Sequence, residues 1–299
     1  MAPLPAVSLV SLPGRRARIL ELAAEIERRG FSGIYGPSMG DAISLCLSLA
    51  HVTNTLRFGT AIEPIYLRRP DDLAATAGYI HEVSGGRFDL GLGVSHGPAH
   101  QRLGVQVGKP LSDMRNYVGA LRGTERVGDL PPIVLATLRD KMLALAVEIG
   151  DGAVWANAAR SHMKTQIDQI PADRRDSFYI GNMIPTVIDD DREAAAAVHR
   201  KTLTGYVSLP NYRNYWKAAG YEDEMNAIEQ ALAAKEYDKL PGLMSDRWLS
   251  DVTLYGSASQ VREGVEAWFD AGVTTPILVS SSTSGGQLKA LEELFSAFE

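Results

Sequence analysis

The chain has 299 residues, a formal net charge of −6, and a composition that is 45% hydrophobic and 22% charged. This balance is typical of an ordinary globular protein and excludes a disordered, fibrous or bilayer-embedded chain. Acidic and basic residues are mixed along the sequence, so it offers no extended positive surface of the kind that nucleic acid requires.

The only cysteine, Cys46, excludes a disulfide within the chain as well as CxxC metal and redox motifs. It lies in an apolar run, which favours a buried, inert thiol. The first residues lack the basic and apolar segments of a signal peptide, and no run approaches the roughly 20 apolar residues that span a bilayer. We therefore expect a cytoplasmic protein with no membrane segment.

Short runs rich in Val and Ile alternate with longer amphipathic segments, as in a parallel sheet whose strands are connected by helices. In chain order, the predicted strands are residues 6–10, 33–35, 57–62, 87–93, 132–136, 152–156, 178–187, 252–255 and 275–280. The predicted helices are residues 15–29, 41–51, 70–83, 112–122, 139–149, a segment from about 161, 259–271 and 288–298.

Eight strand-helix units can be counted in this pattern, and the segment 190–249 is helical but too long for one crossover. The sequence therefore predicts a single α/β domain over residues 1–299. Its fold is a (β/α)8 TIM barrel with a helical insertion at 190–250, between strands seven and eight. An open doubly wound sheet is the alternative that periodicity alone leaves open.

In a barrel, the loops that follow the strands form the active-site face. The third strand ends at Glu63, a carboxylate at the rim of an otherwise apolar strand. Glu63 is therefore a candidate for catalysis or for orienting a cofactor. A salt bridge to Arg68 or Arg69 explains it equally well.

The fourth strand runs through Gly91 and Gly93 to His96. The two glycines resemble part of a dinucleotide fingerprint, but no helix is predicted to open here and no acidic residue ends the second strand, so we reject a Rossmann site. Glycine would instead allow a flat ring to approach the backbone. His96 could then donate or accept a proton, or make a structural hydrogen bond, whereas His100 is predicted to lie at the surface or behind the site.

The fifth and sixth strands end in hydroxyl, amide and cationic side chains close to helix starts. Free amides, the helix dipole and these side chains together favour a phosphate, although ordinary solvated charges at a helix start would look the same. The candidate phosphate-binding residues are Ala136, Thr137, Leu138, Arg139, Lys141, Asn157, Arg160 and Ser161. No metal site is predicted because the histidines are scattered without an HExxH motif, and no GxSxG motif indicates a serine hydrolase.

The run Ser84-Gly85-Gly86-Arg87, continuing to Gly93 and preceded by a helix that ends His81-Glu82, resembles the luciferase-like oxidoreductases that use FMN or coenzyme F420. The similarity extends over 144–157, where a helix ends in an acidic residue and glycine and the next strand ends in asparagine. It reappears over 255–275 and so covers most of the barrel frame.

The resemblance implies a barrel with an insertion after strand seven, a cofactor ring at strands two to four, and a cofactor phosphate near strands five and six. It also implies a non-proline cis peptide at the end of strand three, at Ala61-Ile62. The residues it assigns to the ring are Ser38, Thr60, Ala61, Ile62, Gly93, Val94 and Ser95. The end of strand four is similar to the F420 branch, but Ser38 lies where F420 enzymes often have an Asp-His pair.

We therefore expect an F420-dependent oxidoreductase that transfers hydride to or from a small organic substrate, with His96 as the proton donor or acceptor and Glu63 as the second candidate. The alternatives are an FMN-dependent monooxygenase that uses oxygen, and a non-catalytic binding subunit. Barrels of this kind often pair through outer helices, which suggests a homodimer. Aromatic residues could close over the substrate or pack in the core; they are Tyr66, Trp155, Tyr212, Tyr215 and Trp216.

Overall fold

A computed structural model describes residues 3–299, and its strands and helices follow one another in the predicted alternation. The strands are β1 (Ala6–Ser8), β2 (Gly33–Gly36), β3 (Arg57–Thr60), β4 (Glu63–Pro64), β5 (Phe88–Gly93), β6 (Ile133–Ala136), β7 (Gly152–Ala156), β8 (Tyr179–Ile188), β9 (Leu254–Gly256) and β10 (Thr275–Ser281).

The first eight helices are α1 (Arg16–Arg28), α2 (Ala42–Val52), α3 (Pro70–Val83), α4 (Gly97–Leu103), α5 (Pro110–Arg122), α6 (Asp140–Ile149), α7 (Arg160–Ile167) and α8 (Ala172–Arg175). The others are α9 (Arg192–Val207), α10 (Pro210–Ala218), α11 (Glu222–Ala233), α12 (Asp246–Val252), α13 (Ala258–Asp270) and α14 (Gln287–Ala297). A 3-10 segment, Tyr237–Leu243, precedes α12.

The local sequence explains where these helices begin and which face they bury. In α3, Pro70 occupies the first turn, and two acidic residues follow it at the positive end of the helix dipole. In α13, Ser257 and Gln260 form a reciprocal capping box. The buried face of α1 is the predicted one, with Ile19, Leu22, Ala23 and Ile26 turned inward.

The described residues divide into two compact units. The first extends to Trp155 and includes Gln169–Gly181, and the second comprises Ala156–Asp168 and Asn182–Glu299. In the first unit the strands are parallel and lie in the order β1-β2-β3-β5-β6-β7, with β4 paired to β5. The carboxyl ends of these strands therefore share one edge.

In the second unit, β8 pairs with both β9 and β10, and the β8–β9 ladder is parallel. Its register places Thr186 beside Leu254 and Ile188 beside Gly256. The predicted insertion is confirmed as four α-helices, α9 to α12, with the 3-10 segment between α11 and α12. The insertion thus folds against its own unit.

The Ser84–Arg87 run has a structural role. Gly85 and Gly86 adopt positive φ angles of 65° and 82°, which glycine tolerates best. The Arg87 guanidinium then donates five hydrogen bonds of 2.7–3.0 Å, most of them to groups where α2 ends. Its acceptors belong to Ala50, Thr53, Leu56 and Ser84. The motif therefore fixes the end of α2 against the turn before β5.

Two predicted boundaries are corrected. The third strand ends at Thr60 rather than Ile62, because a cis peptide follows at Ala61-Ile62, as the resemblance implied, and the two-residue strand β4 comes after it. A helix does open after His96: α4 begins at Gly97, with Pro98 in its first turn. That proline is a signal for a helix start.

Candidate functional site

The end of strand β3 forms a bulge that is hydrogen-bonded to both neighbouring strands. The Ala61 amide donates to the Gly36 carbonyl at 2.7 Å, and the Thr60 hydroxyl donates to the Gly91 carbonyl at 2.7 Å. Thr60 and Ala61 are both buried. The bulge is therefore held rigidly at the strand ends where the sequence predicted the cofactor ring.

Gly91 and Gly93 make room for this bulge. A Cβ atom on Gly91 would meet the Thr60 carbonyl oxygen at 1.9 Å, and one on Gly93 would meet the Ile62 side chain at 2.6 Å and Ala136 at 3.1 Å. Protein atoms therefore fill the space that the missing side chains leave, so the packing of the bulge itself requires these glycines. Ile62, Gly93 and Ala136 lie close together at these strand ends.

Glu63 follows the bulge and is buried, with only 5% of its surface exposed. Burial raises the pKa of its carboxyl group, Arg68 opposes that rise, and the neighbouring charge of Asp41 adds to it. The Nε atom of Arg68 lies 3.3 Å from Oε1 of Glu63. The predicted salt bridge is therefore confirmed for Arg68, whereas Arg69 pairs with Asp71 instead.

Arg68 is shared among three carboxylates. Besides Glu63, it reaches Asp41 at 3.3 Å and Asp72 at 3.6 Å. Asp41 has a left-handed backbone with φ of 58° and caps α2 by accepting from the Ser44 amide at 3.2 Å. One guanidinium cannot neutralise three carboxylates, so the group carries excess negative charge. Asp41 was not among the predicted site residues, although an aspartate directly before an apolar helix is a helix-start signal.

A cavity of about 520 Å³ opens beside this group. Ser38, predicted to contact the cofactor, is exposed and lies on its wall. The residues lining the cavity are Ser38, Asp41, Ala42, Glu63, Leu67, Arg68, Arg69 and Asp72. Ser38, just past the end of β2, and Glu63, the first residue of β4, therefore lie at one cavity.

His96 lies just past the end of β5, at the cap position of α4. Its backbone is extended, with φ of −150°, after a left-handed turn at Ser95 with φ of 58°. The Nδ1 atom of His96 is buried and has no hydrogen-bond partner within residues 3–299. A buried polar nitrogen without a partner indicates a position where a ligand atom could complete the bond.

His100 is four residues further on, but its Nε2 atom is 2.6 Å from the Val94 carbonyl oxygen, and its ring meets Tyr66 edge-on at 5.3 Å. This pair of histidines forms no metal site, since no cluster of His, Cys, Asp or Glu among the described residues could hold a metal ion. His100 therefore supports the backbone at Val94, two residues before His96.

Tyr66 was a candidate for closing over the substrate. Its hydroxyl donates to the Asp113 carboxylate at 2.7 Å, and the same carboxylate oxygen accepts from the Gly108 amide at 2.8 Å. Tyr66 thus ties the loop before α5 to the end of β4. Trp155 is only 1% exposed and belongs to the core of its unit.

The start of α6 has the features predicted for an anion site. No side chain caps this helix among the described residues, and Arg139, at the cap position, is exposed together with Lys141. Thr137 is buried, and its amide donates to the Val154 carbonyl at 2.9 Å. Uncapped amides at a helix start attract anions, and the two cations would strengthen that attraction.

In the second unit, Ser161 at the start of α7 is already engaged. Its amide and hydroxyl donate to the Asp251 carboxylate at 3.0 and 2.7 Å, and Tyr221 donates to the same carboxylate at 2.8 Å. The Asp251 carboxylate therefore occupies both donors of Ser161. The start of α6 also carries a carboxylate, Asp140, but no side chain caps it, and Arg139 and Lys141 are exposed beside it. It is thus better placed for an anion than Ser161. Nothing in the local sequence pattern distinguishes Asp251, which was not predicted.

Asn157 is 4% exposed and has a left-handed backbone with φ of 55°. Its carbonyl oxygen accepts from Trp216 at 3.1 Å, and its amide donates to the Met183 carbonyl at 3.0 Å. The Tyr215 hydroxyl accepts from the Ala159 amide at 3.0 Å. These aromatic residues of the insertion thus hold the end of β7 in place.

Parallel strands followed by helices, with polar residues gathered where the strands end, define the site of an α/β-barrel enzyme. A profile of the luciferase-like monooxygenase family matches residues 5–275. The chain belongs to this family, as the sequence predicted, and is a luciferase-like oxidoreductase.

Two related sequences are 5,10-methylenetetrahydromethanopterin reductases. The one from Archaeoglobus fulgidus is 26% identical, over 77% of this chain and 79% of the relative. The one from Methanolobus tindarius is 23% identical, over 92% of this chain and 93% of the relative. The similarity therefore covers most of the barrel and the insertion.

Two solved structures show the fold. The coenzyme F420-dependent tetrahydromethanopterin reductase of Methanopyrus kandleri gives a TM-score of 0.75 at 16% identity, over 98% of both chains. The oxygenating constituent of 3,6-diketocamphane monooxygenase from Pseudomonas putida, solved with FMN, gives 0.63 at 14% identity, over 100% of this chain and 96% of that chain. The predicted (β/α)8 TIM barrel is confirmed, and the open doubly wound sheet is excluded.

Proposed function

We propose that this chain is an F420-dependent oxidoreductase that transfers hydride between the deazaflavin and a small organic substrate. The observation that carries the proposal is the buried, unpartnered Nδ1 atom of His96 at the end of β5. The reductase names of the related sequences support a redox reaction, and the F420-dependent structural neighbour supports this cofactor.

The residues of the first unit fit such a cofactor. The rigid bulge at Thr60–Ile62 and the strand end at Gly93–Ser95 would hold the flat ring. The exposed Arg139 and Lys141, together with Thr137 and the uncapped start of α6, would hold its phosphate. When bound, F420 supplies a ring carbon that accepts or donates hydride.

His96 would hold the proton that accompanies hydride transfer, because imidazole exchanges protons near neutral pH. Glu63 would orient the ring or the substrate through its buried carboxylate, which Arg68 keeps in place at 3.3 Å. The bulge and the apolar side chains around it would exclude water. The protein's contribution is thus orientation, proton exchange and desolvation.

A second candidate keeps the same residues but uses reduced FMN and oxygen. It is favoured by Ser38, which occupies the position where F420 enzymes often have an Asp-His pair, and by the FMN-bound monooxygenase among the structural neighbours. Under this alternative, the chain would be a monooxygenase.

Titration of the purified protein with F420 and with FMN, followed by cofactor fluorescence, separates the two candidates. We expect saturable binding of F420 and much weaker binding of FMN. Replacing Arg139 and Lys141 together by Ala should weaken F420 binding about tenfold, which corresponds to about 1.4 kcal/mol. Lys201→Ala, at an exposed position of α9, is the control and should leave binding unchanged.

Tight FMN binding without F420 binding would overturn the F420 proposal in favour of the monooxygenase. An F420 affinity that does not depend on Arg139 and Lys141 would overturn the position given to the phosphate. Circular dichroism of each variant shows whether it is folded, so that a loss of binding can be attributed to the site.

A further inference from the structure

The backbone where β7 ends is almost fully hydrogen-bonded within the second unit. The backbone N–H and C=O groups of Asn157 are both hydrogen-bonded. The backbone N–H of Ala158 donates to Oδ1 of Asn182 at 3.4 Å, and that of Ala159 donates to the Tyr215 hydroxyl. The conformation of this segment is therefore fixed without the amide nitrogen of either asparagine side chain.

Two side-chain amide nitrogens lie beside this segment. Nδ2 of Asn157 and Nδ2 of Asn182 are both buried, and neither makes a hydrogen bond of ordinary geometry within the described residues. The two side chains are 4% and 0% exposed. Asn157, just past β7, has the hydroxyls of Tyr206 and Tyr212 nearby, whereas no partner is seen among the described residues for Nδ2 of Asn182, within β8. Buried amide donors are nearly always paired in native proteins, so Asn182 indicates that an acceptor comes from outside the chain.

Two tyrosines of the insertion lie next to Asn157. Burial raises the pKa of Tyr206 and of Tyr212, and the Asn157 carboxamide is close enough to both hydroxyls to oppose that rise. Both phenols are therefore protonated donors at neutral pH. Their rings are only partly buried and meet edge-on at 5.1 Å, and the Tyr212 ring lies 5.3 Å from that of Trp216 at a tilt of 40°.

The basic side chains of the neighbouring helix α10 are already engaged in ion pairs. Both basic side chains of α10, Arg213 and Lys217, are paired with Glu229, at 3.1 and 2.6 Å. Arg213 also donates to the Val207 carbonyl at 2.7 Å. An anion placed against Asn157 would lose its hydration without gaining a counter-charge from these residues, whereas a neutral acceptor oxygen needs only the donors.

We propose that Asn157, Asn182, Tyr206 and Tyr212 form a binding site for the oxygen of an uncharged carbonyl compound with an aromatic or conjugated body. The Asn182 amide and the two phenols donate to the oxygen, Asn157 orients the phenols, and the partly exposed rings of Tyr206 and Tyr212 pack against the body. That this compound is the substrate rests on the proposed function. Its binding to these residues requires no cofactor and can be tested separately.

The acceptor oxygen could also belong to the cofactor, since cofactor rings and phosphates carry such oxygens. We assign it to the substrate because the donors are neutral and lie among aromatic residues of the insertion. The test therefore measures the two sources separately, in the same variants.

Three phenyl compounds that differ mainly in charge serve as probes: acetophenone, benzoate and benzylamine. Each is titrated calorimetrically into the cofactor-free protein, and F420 is titrated separately by its fluorescence. The main variant is Asn157→Asp, which keeps the size of the side chain, tolerates a positive φ and replaces a donor by an acceptor. Asn226→Asp, on α11, controls for the added charge, and Tyr237→Phe, at an exposed position, controls for Tyr212→Phe.

We expect wild-type protein to bind acetophenone at least tenfold more tightly than benzoate. Asn157→Asp should weaken acetophenone binding at least tenfold and shift the preference to benzylamine. Tyr212→Phe should weaken acetophenone binding several-fold. Both control variants should bind the probes as the wild type does. Unchanged melting temperatures would show that the variants are folded.

Three results would overturn the inference: no acetophenone binding by the wild type, tighter binding of benzoate than of acetophenone, or acetophenone binding that Asn157→Asp leaves unchanged while F420 binding falls. The last of these would identify the cofactor as the source of the oxygen. Failure of F420 to bind while the acetophenone results hold would instead count against the proposed function alone.

Discussion

At the scale of single residues, the glycines of β5 show how closely the bulge is packed. Gly91→Ala should destabilise the protein by about 1–3 kcal/mol or more, because its Cβ would overlap the Thr60 carbonyl oxygen, 1.9 Å away. Gly119→Ala on α5 is the matched control. No atom lies within 4 Å of the position of its Cβ, so it should stabilise by up to about 1 kcal/mol.

Thermal and urea unfolding of both alanine variants measures this difference. Equal stability of the two would show that the bulge does not require a glycine opposite Thr60.

Glu63 illustrates how a functional carboxylate costs stability. Its folded-state pKa is raised above 4.5, mainly by burial, so the folded protein binds a proton more readily than the unfolded chain does. The stability associated with this group is present below pH 4.5 and is lost as the pH rises through the folded pKa. Glutamine has no charge to bury, so Glu63→Gln does not lose this stability as the pH rises. Arg68 is not left unpaired in the variant, because Asp41 and Asp72 remain its partners.

We therefore expect Glu63→Gln to be more stable than wild type at pH 7, with a gap that closes towards pH 4, and to have impaired turnover. Urea unfolding across this pH range measures the gap. Glu263→Gln, at an exposed position of α13, should show no such pH dependence. A Glu63→Gln variant that is less stable than wild type at pH 7 would show that the ion pair with Arg68 outweighs the cost of burial.

At the scale of elements, Arg87 holds the end of α2. Arg87→Ala removes five hydrogen bonds and leaves buried carbonyls without donors, so we expect it to lower the free energy of unfolding by about 2–4 kcal/mol. Arg18→Ala removes an exposed ion pair with Glu21 and should change the free energy of unfolding by less than about 1 kcal/mol. Denaturant unfolding compares them, and similar losses would refute the structural role of Arg87.

Glu27 of α1 fixes the turn before β3. Burial raises the pKa of Glu27, but the amides of Thr55, Leu56 and Asn54 together outweigh this effect and lower the pKa to about 2. The stabilisation is therefore present above pH 4.5 and is lost as the pH falls towards 2. Glu27→Gln should destabilise by about 1–2 kcal/mol at pH 7, after allowance for solvent screening.

Unfolding of Glu27→Gln and wild type between pH 7 and pH 2 follows this effect. Their difference should shrink below about pH 4.5. A difference that does not depend on pH would mean that the carboxylate charge is not what holds the turn.

The sequence predicted the elements well because each carries its own local signal. The start of α3 at Pro70 and the strand β7 at Gly152–Ala156 were predicted to the residue, since proline, acidic residues and bounded apolar runs act locally. The end of β3 was placed two residues too late, because Ala61 and Ile62 look like strand residues and only tertiary contacts turn them into a bulge.

The candidate site was predicted in part, for a similar reason. Glu63 and His96 could be proposed because they follow apolar strands in the chain. Asp251, Tyr206 and Asn182 could not, because their roles depend on contacts with residues between 24 and 90 positions away. Spacing along one chain does not encode such contacts.

At the scale of the whole molecule, none of the helices in the described part of the chain combines the length and apolar character needed to cross a membrane. We propose that the protein is a homodimer that pairs through its outer helices, and Tyr79 and Val83 of α3 expose apolar surface suited to such a contact. Light scattering coupled to size exclusion should give twice the mass of the chain. A single-chain mass at micromolar concentration would contradict the proposal.

The proposed function depends on an F420 ring at the strand ends of the first unit, next to His96. A crystal structure of the protein with F420 would locate this ring. We expect it against Thr60–Ile62, with an atom of the ligand within hydrogen-bond distance of His96 Nδ1, and the phosphate at the start of α6. Density for the ring elsewhere would overturn the proposed site. Crystals that take up FMN at these strand ends but no F420 would overturn the choice of cofactor.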